Sequence, residues 1–257
     1  MIDIIPHDSG ITELRIARPP VNLIDVGVLK SLRHALAEAN GAGQRGIILS
    51  GAPGVFSSGV DVAALVGGDY EAVREYWRQV FLLASEMALS RQPIFAAITG
   101  HCMAAGALLA VFCDYRVMAQ GAWQVGLNEV RVGVALPDCF QLAVRRVVGA
   151  LQAERLMVFG RLLSPQQALE VNLVDELAEP GQVVARTRER LQELLSVPPQ
   201  ALASMRAIAR RDLHDMFVDV DALPVDDFVD AFLQPETQQA LRHVASRMRP
   251  PAAAVAR

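Results

Sequence analysis

Apolar and polar positions change period several times along the chain, and each change marks an element. Residues 11–16, ITELRI, alternate like a half-buried strand and run into Pro19-Pro20, where a strand must stop. From Asp25 to Asn40 the apolar positions Val28, Leu29, Leu32 and Leu36 fall at helical spacing. GIILSG at 46–51 is a short continuous apolar run, the pattern of a buried strand, and residues from about 69 to 90 carry the stripe of a long amphipathic helix. PIFAAITG predicts another buried strand that leads into a small-residue turn. AAGALLAVFCD then predicts a buried helix starting near Ala104, and YRVMAQ a further strand.

This alternation over the first two thirds of the chain predicts an α/β layered core. Past LSPQQALEVNLVDELAEPG the pattern changes to helices with polar outer faces. Ser164 is suited to the N-cap, Pro165 to the first helical position, and Gln167 to completing a capping box. Nothing strand-like follows residue 198, so the chain divides into a core, 1–197, and a helical C-terminal segment, 198–257, with PPAAAVAR as a frayed end. No repeat of solenoid period is present.

Composition narrows the picture. With 257 residues the chain is long enough to bury a core without a metal or disulfide staple. Its 52% hydrophobic and 20% charged residues leave more apolar side chains than a monomer of this size needs inside, and a subunit interface is expected to take the surplus. The 24 Lys and Arg are scattered among 28 Asp and Glu, which argues against a nucleic-acid partner while leaving room for a phosphate-bearing small molecule. Three cysteines, Cys102, Cys113 and Cys139, lack CxxC spacing, which argues against a disulfide framework or structural zinc and for reduced thiols in a cytoplasmic protein. No leader pattern and no uninterrupted apolar run of membrane-spanning length occur, so no membrane partner is expected.

The strong cofactor motifs are missing: no GxGxxG after a strand, no GxxxxGK[ST], no HExxH, no GxSxG. Two small-residue turns remain, GVFSSGVDV at 54–62 and GHCMAAGALLA at 100–110. Each follows a buried strand and opens a helix, where free backbone N–H groups point outward. Singly they are tight connections; converging, they make an oxyanion hole able to hold a thioester oxygen as it becomes an enolate. A third stretch, VGLNEVRVGVALP at 125–137, sets Asn128 and Glu129 among valines and a leucine. Two readings of Glu129 stay open: a carboxylate beside an apolar pocket, its pKa raised by desolvation, or an exposed turn glutamate paired with Arg131.

Taken in order, these three stretches resemble the crotonase (enoyl-CoA hydratase/isomerase) superfamily, and the similarity runs from RPPVN at 18–22 to ETQQALRHVASRM near the end. Within it the chain is most similar to the mitochondrial-type Δ3,Δ2-enoyl-CoA isomerase branch, on RPPVN, PGVFSSGVD, Tyr76-Trp77, GLNE and DDFVDAFLQPETQQAL. The resemblance implies a crotonase fold of repeated ββα units, a helical C-terminal trimerisation segment in a homotrimer or hexamer, and an acyl-CoA thioester substrate, with coenzyme A part of that substrate and no separate cofactor or metal. It assigns the oxyanion donors to the backbone N–H groups of Val60 and Ala105 and the base to Glu129. Ser58, Gly59, Asp61, Val62 and Asn128 fall to the substrate-binding surface. The second glutamate of the hydratases is matched by Leu108, which favours a 1,3-proton shift by a single carboxylate over water addition. A hydratase helped by water or Asp138, a specialised crotonase and a non-catalytic acyl-CoA binder are the rival functions.

Other residues invite blander readings. His101 and Cys102 are expected to be a packed histidine and a buried thiol. Asp138 follows a proline at a helix start and is expected to cap it, with a second catalytic carboxylate as the alternative. Asp61 suits the early turn of a helix. Tyr76, Trp77, Phe81 and Met87 suit the core, and Arg15 and Arg18 suit solvent rather than nucleotide phosphates.

Overall fold

The computed structural model describes residues 1–248; the expected frayed end lies outside them. In chain order, β1 (Ile2–His7) and β2 (Ile11–Ile16) form a hairpin and lead into α1 (Val26–Gly41). Next come β3 (Gly46–Ser50), β4 (Gly54–Ser57), α2 (Val62–Leu65) and α3 (Tyr70–Leu89), then β5 (Ile94–Ile98), β6 (Gly100–Met103) and α4 (Ala105–Phe112). A further unit follows with β7 (Tyr115–Ala119), β8 (Val125–Gly126), a 3-10 turn (Glu129–Val132), α5 (Asp138–Val148) and α6 (Ala150–Phe159). The chain continues through α7 (Pro165–Glu170), β9 (Glu176–Ala178), α8 (Val183–Leu194), α9 (Pro199–Ala209), α10 (Arg211–Phe217), α11 (Val225–Phe232) and α12 (Pro235–Met248).

Repeated ββα units are therefore present, and each of the middle three divides its strands between two sheets. The larger sheet has the order β1-β2-β3-β5-β7-β9, parallel from β2 onward; the smaller is β4-β6-β8, parallel throughout. Strands read as continuous apolar runs are buried on both faces, as a covered parallel sheet requires. In β3, Ile47 and Leu49 face the main core with α1 and α3, while Ile48 faces a second cluster with Phe95, Val117 and Leu191 of α8.

Helix ends follow the sequence. Asp25 caps α1 by accepting from Val28 N, Asp69 caps α3 by accepting from Ala72 N, and Ser164 with Gln167 forms the expected capping box. The C-terminal helices share the main core: Leu213, Phe217, Phe228, Val229, Phe232 and Leu241 belong to the same buried cluster as the strands. Asp114, ahead of β7, ties α9 and α10 down through Arg206 (2.9 Å) and Arg210 (3.0 Å). No described helix is long and apolar enough to cross a membrane.

Two expectations need correcting. Residues 2–7 form a strand that periodicity did not indicate, because this edge element carries Pro6 and exposes much of its length. GVFS and GHCM, read as parts of turns, are the strands β4 and β6; at four residues each they are too short to show a period.

Candidate active site

The smaller sheet sets up the site. Its three parallel strands end side by side, and the residues that leave them are Ser58–Asp61 after β4, Ala104 and Ala105 after β6, and Leu127–Glu129 after β8. The three stretches singled out in the sequence thus meet at one end of one sheet.

The first turn is laced to the segment after β2. Ile24 N donates to Gly59 O, Asp61 N to Ile24 O, and Ser58 N to Val21 O. Ser57 Oγ donates to Asn22 O at 2.7 Å and accepts from Gly59 N. Every amide from Ser58 to Val62 is thereby used except that of Val60, which has no partner among the described residues. In the second turn Ala104 takes φ 48°, ψ −122°, while its own N–H donates to Gly126 O. A non-glycine residue in that region costs about 1–3 kcal/mol and persists only where the surroundings hold it. Ala105 opens α4, so its N–H has no intrahelical acceptor and none elsewhere among the described residues.

The two turns touch. Gly59 has φ 94°, and a Cβ on it would lie 2.9 Å from Ala104 Cβ and 3.0 Å from Met103 O. Two unpaired amides, of Val60 and Ala105, thus sit on adjoining loops, and Val60 and Ala104 line a cavity of about 240 Å³. Ser58, Val60, Val62, Asn128 and Glu129 line it, with Trp77 and Phe232.

Glu129 is the only ionisable residue among the described ones that line this cavity. The residue keeps some exposed surface, but Oε2 is sealed and has no hydrogen-bond partner. Burial pushes the carboxyl up to about 7, opposed only by a backbone hydrogen bond of Glu129 itself. The open choice in the sequence is thereby resolved: Arg131 donates through Nε to Gly160 O at 2.7 Å and does not pair with Glu129.

Several sequence expectations change. Asp138 is not a cap: Pro137 occupies that position, and the Asp138 carboxylate, 70% exposed, pairs with Arg145 one helical face along. It does not line the Glu129 cavity. Asp61 does not line it either, and makes no cap bond; it takes Arg18, which also holds Asp25. Arg18 is thus a brace between the first turn and α1 rather than a solvated side chain, and Arg15 pairs with the buried Glu13. Gly59 contributes shape, not lining surface. His101 accepts from Gln124 N and packs edge-on against Trp123, and Cys102 is fully buried with its thiol pushed well up by desolvation, as expected of packed groups. Leu108 is 4% exposed in α4.

Asn22 escaped sequence reasoning. It is buried at φ 51°, its amide donates to Ile16 O (2.9 Å) and Phe56 O (3.1 Å), and its Oδ1 accepts from Arg18 N. It pins the first turn from behind. An asparagine just after a Pro pair was the available signal, since Asn tolerates the left-handed region.

The chain is similar to known proteins over most of its length. The sequence profile of the family described as enoyl-CoA hydratase/isomerase matches residues 7–250. The chain is 30% identical over 244 residues to the mouse protein named enoyl-CoA delta isomerase 1, mitochondrial, covering 94% of this chain and 84% of that protein. It is also 30% identical over 208 residues to a probable enoyl-CoA hydratase of Mycobacterium avium, covering 78% of each. The crystal structure of human mitochondrial delta3-delta2-enoyl-CoA isomerase superposes with a TM-score of 0.91 at 28% identity, covering 96% of this chain and 97% of that one. With a profile spanning nearly all of its length, a relative 30% identical over 94% of it and the same fold, the chain belongs to the enoyl-CoA hydratase/isomerase family.

Proposed function

We propose that this protein is a Δ3,Δ2-enoyl-CoA isomerase that works with a single carboxylate. The observation that carries the reading is Glu129: one desolvated carboxyl in a cavity that Val60 and Ala104, on the loops of the two unpaired amides, also line, with leucine at position 108. Glu129 removes a C2 proton from a 3-enoyl-CoA. The C2–H electron pair forms a C1–C2 double bond as the carbonyl pair moves onto the thioester oxygen, which the Val60 and Ala105 N–H groups stabilise. Each donor is worth roughly 2.7–4 kcal/mol on the scale of other oxyanion holes. The protonated Glu129 then returns the proton to C4: the C3–C4 π pair forms the new C4–H bond, the C1–C2 π pair becomes the C2–C3 double bond, and the pair on the oxygen re-forms the carbonyl. One group both takes and gives the proton, so an acid–base pKa near 7 suits it.

The scheme moves only a proton and electron pairs, so coenzyme A enters as part of the substrate and no further cofactor is invoked. The proposal includes a cytoplasmic setting and a homotrimer or hexamer; exposed Leu151, Val158 and Phe159 on α6 support an interface. Sedimentation of the pure protein tests the assembly. Incubation with 3-hexenoyl-CoA and, separately, 2-hexenoyl-CoA in deuterated water, read by mass and NMR, tests the reaction. The expected result is 2-hexenoyl-CoA from the first ester and no 3-hydroxyhexanoyl-CoA from either. Hydration of the 2-enoyl ester at a comparable rate would replace the isomerase reading with a hydratase.

A further inference from the structure

α12 forms part of the wall of the Glu129 cavity through Leu241 and Val244, and its first turns carry two buried polar side chains, Thr237 (4% exposed) and Gln238 (6%). A threonine inside a helix commonly returns its hydroxyl to a carbonyl of the preceding turn. Thr237 instead donates across to Gly133 O, at 3.0 Å. Gly133 closes the 3-10 turn that Glu129 opens, at φ 75°, and a Cβ on it would lie 3.1 Å from Thr237 Oγ1 and 3.3 Å from Thr237 Cα, so the two backbones meet with no side chain between them. The carbonyl that Thr237 holds shares a peptide group with the Val134 N–H, and that N–H donates to Glu129 O at 3.1 Å. One rigid peptide plane thus links the α12 hydroxyl to the backbone of Glu129. Next along α12, Gln238 accepts from Gly67 N (3.3 Å), beyond α2, and donates to Phe232 O (3.0 Å). α2 follows Val60 closely, and Val62 N donates to Val60 O. α12 therefore holds the turn of the carboxylate and is tied to the loop of the first amide.

We infer that Thr237 is a positioning residue for Glu129: its hydroxyl, through the Gly133–Val134 peptide, fixes where the carboxylate stands relative to the Val60 loop. The inference rests on the isomerase reading for what Glu129 does there. No other residue among the described ones hydrogen-bonds the Glu129 carboxylate. Its place is set by packing and by its backbone, and the backbone is where Thr237 acts. A reacting group misplaced by about 1 Å can cost ~10²-fold in rate.

The test compares Thr237→Val, which keeps the shape and loses the donor, with Thr237→Ser, which keeps the donor. With 3-hexenoyl-CoA, Thr237→Val should lower kcat by about 10-fold or more with KM within about two-fold of the wild type, and Thr237→Ser should restore most of the loss. The Glu129 carboxyl is followed in parallel by carbon-13 NMR of protein labelled at its glutamate carboxyls, the signal being assigned with Glu129→Gln. Its midpoint, about 7 in the wild type, should fall by at least about half a pH unit toward 4.5 in Thr237→Val, because a turn released from α12 admits water to the carboxyl, and should stay near 7 in Thr237→Ser. Should Thr237→Val not fold, hydrogen exchange of the wild type decides: the Val134 amide should exchange no faster than the amides around Leu241 in α12. A Val134 amide that opens while α12 stays closed, or equal losses of kcat in both variants, would overturn the inference. Turnover by the wild type with an unmoved midpoint in Thr237→Val would refute this inference alone. A midpoint that shifts as expected in a protein whose wild type leaves 3-hexenoyl-CoA unchanged would refute the isomerase reading alone.

Discussion

Glu129→Gln should raise stability at the pH where it destroys activity. The folded carboxyl titrates at about 7 against an ordinary 4.5, so between those values the folded chain keeps a proton that the unfolded chain has lost. Stability falls with rising pH wherever the folded state binds more protons. Below pH 4.5 the carboxyl is protonated in both states and the amide substitute matches it in shape and neutrality. Above about 7 the wild type has lost the whole difference; at ~1.36 kcal/mol per pK unit the rise is worth about 3 kcal/mol, a ceiling set by full burial of the carboxyl. Urea denaturation of both proteins at pH 4.5, 6, 7 and 8.5 measures it. The expected advantage of Glu129→Gln grows from near zero to about 3 kcal/mol, or a Tm about 6 °C higher at pH 8.5 at ~2 °C per kcal/mol. Isomerisation of 3-hexenoyl-CoA should fall about 10²–10⁴-fold in the same variant. A stability difference that does not change with pH would refute the desolvated-carboxyl reasoning, whatever happened to the rate.

Gly59→Ala sets a methyl group against Ala104 Cβ and Met103 O, which parts the two turns; kcat/KM should drop by about 10² or more, the cost of one oxyanion donor, with the fold kept by circular dichroism. Asp138→Asn removes only an exposed pair with Arg145, so stability should change by less than about 1 kcal/mol and the product should be unaltered; loss of turnover would make Asp138 a catalytic acid. Asp114→Asn leaves Arg206 and Arg210 without their shared, largely buried carboxylate, so denaturation should show a loss of about 3–5 kcal/mol, with activity per folded molecule retained.

The chain announced its elements unevenly. The long helix from about 69 to 90 was legible because it repeats one period over several turns, and the buried runs at 46–51 and 93–100 because each is an unbroken apolar stretch ending in small or polar residues. The short strands β4, β6 and β8 were not, since two to four residues hold no period and their pairing is non-local. Glu129 stood out as a carboxylate in apolar surroundings, yet its partner state depended on where Arg131 turned, which only the packing of Gly160 decides. Asp138 and Asp61 misled for a common reason: position near a helix start suggests dipole or cap roles, whereas arginines claimed both carboxylates, Arg145 from two turns further along the same helix and Arg18 from before α1.

The smaller sheet also constrains the order in which the protein acquires function. β8 has only two residues, Val125 and Gly126, and Val125 exchanges both backbone hydrogen bonds with Leu163, beyond α6. The close approach needs Gly126, where a Cβ would sit 2.4 Å from Arg161 O. Glu129 therefore depends for its position on chain made some thirty residues later, and the two amide loops cannot meet Glu129 until that segment docks. Loop closure over such separations is slow relative to local helix formation. Enzymatic turnover during refolding should consequently lag recovery of helical circular dichroism, which makes the reaction a reporter of the last tertiary step.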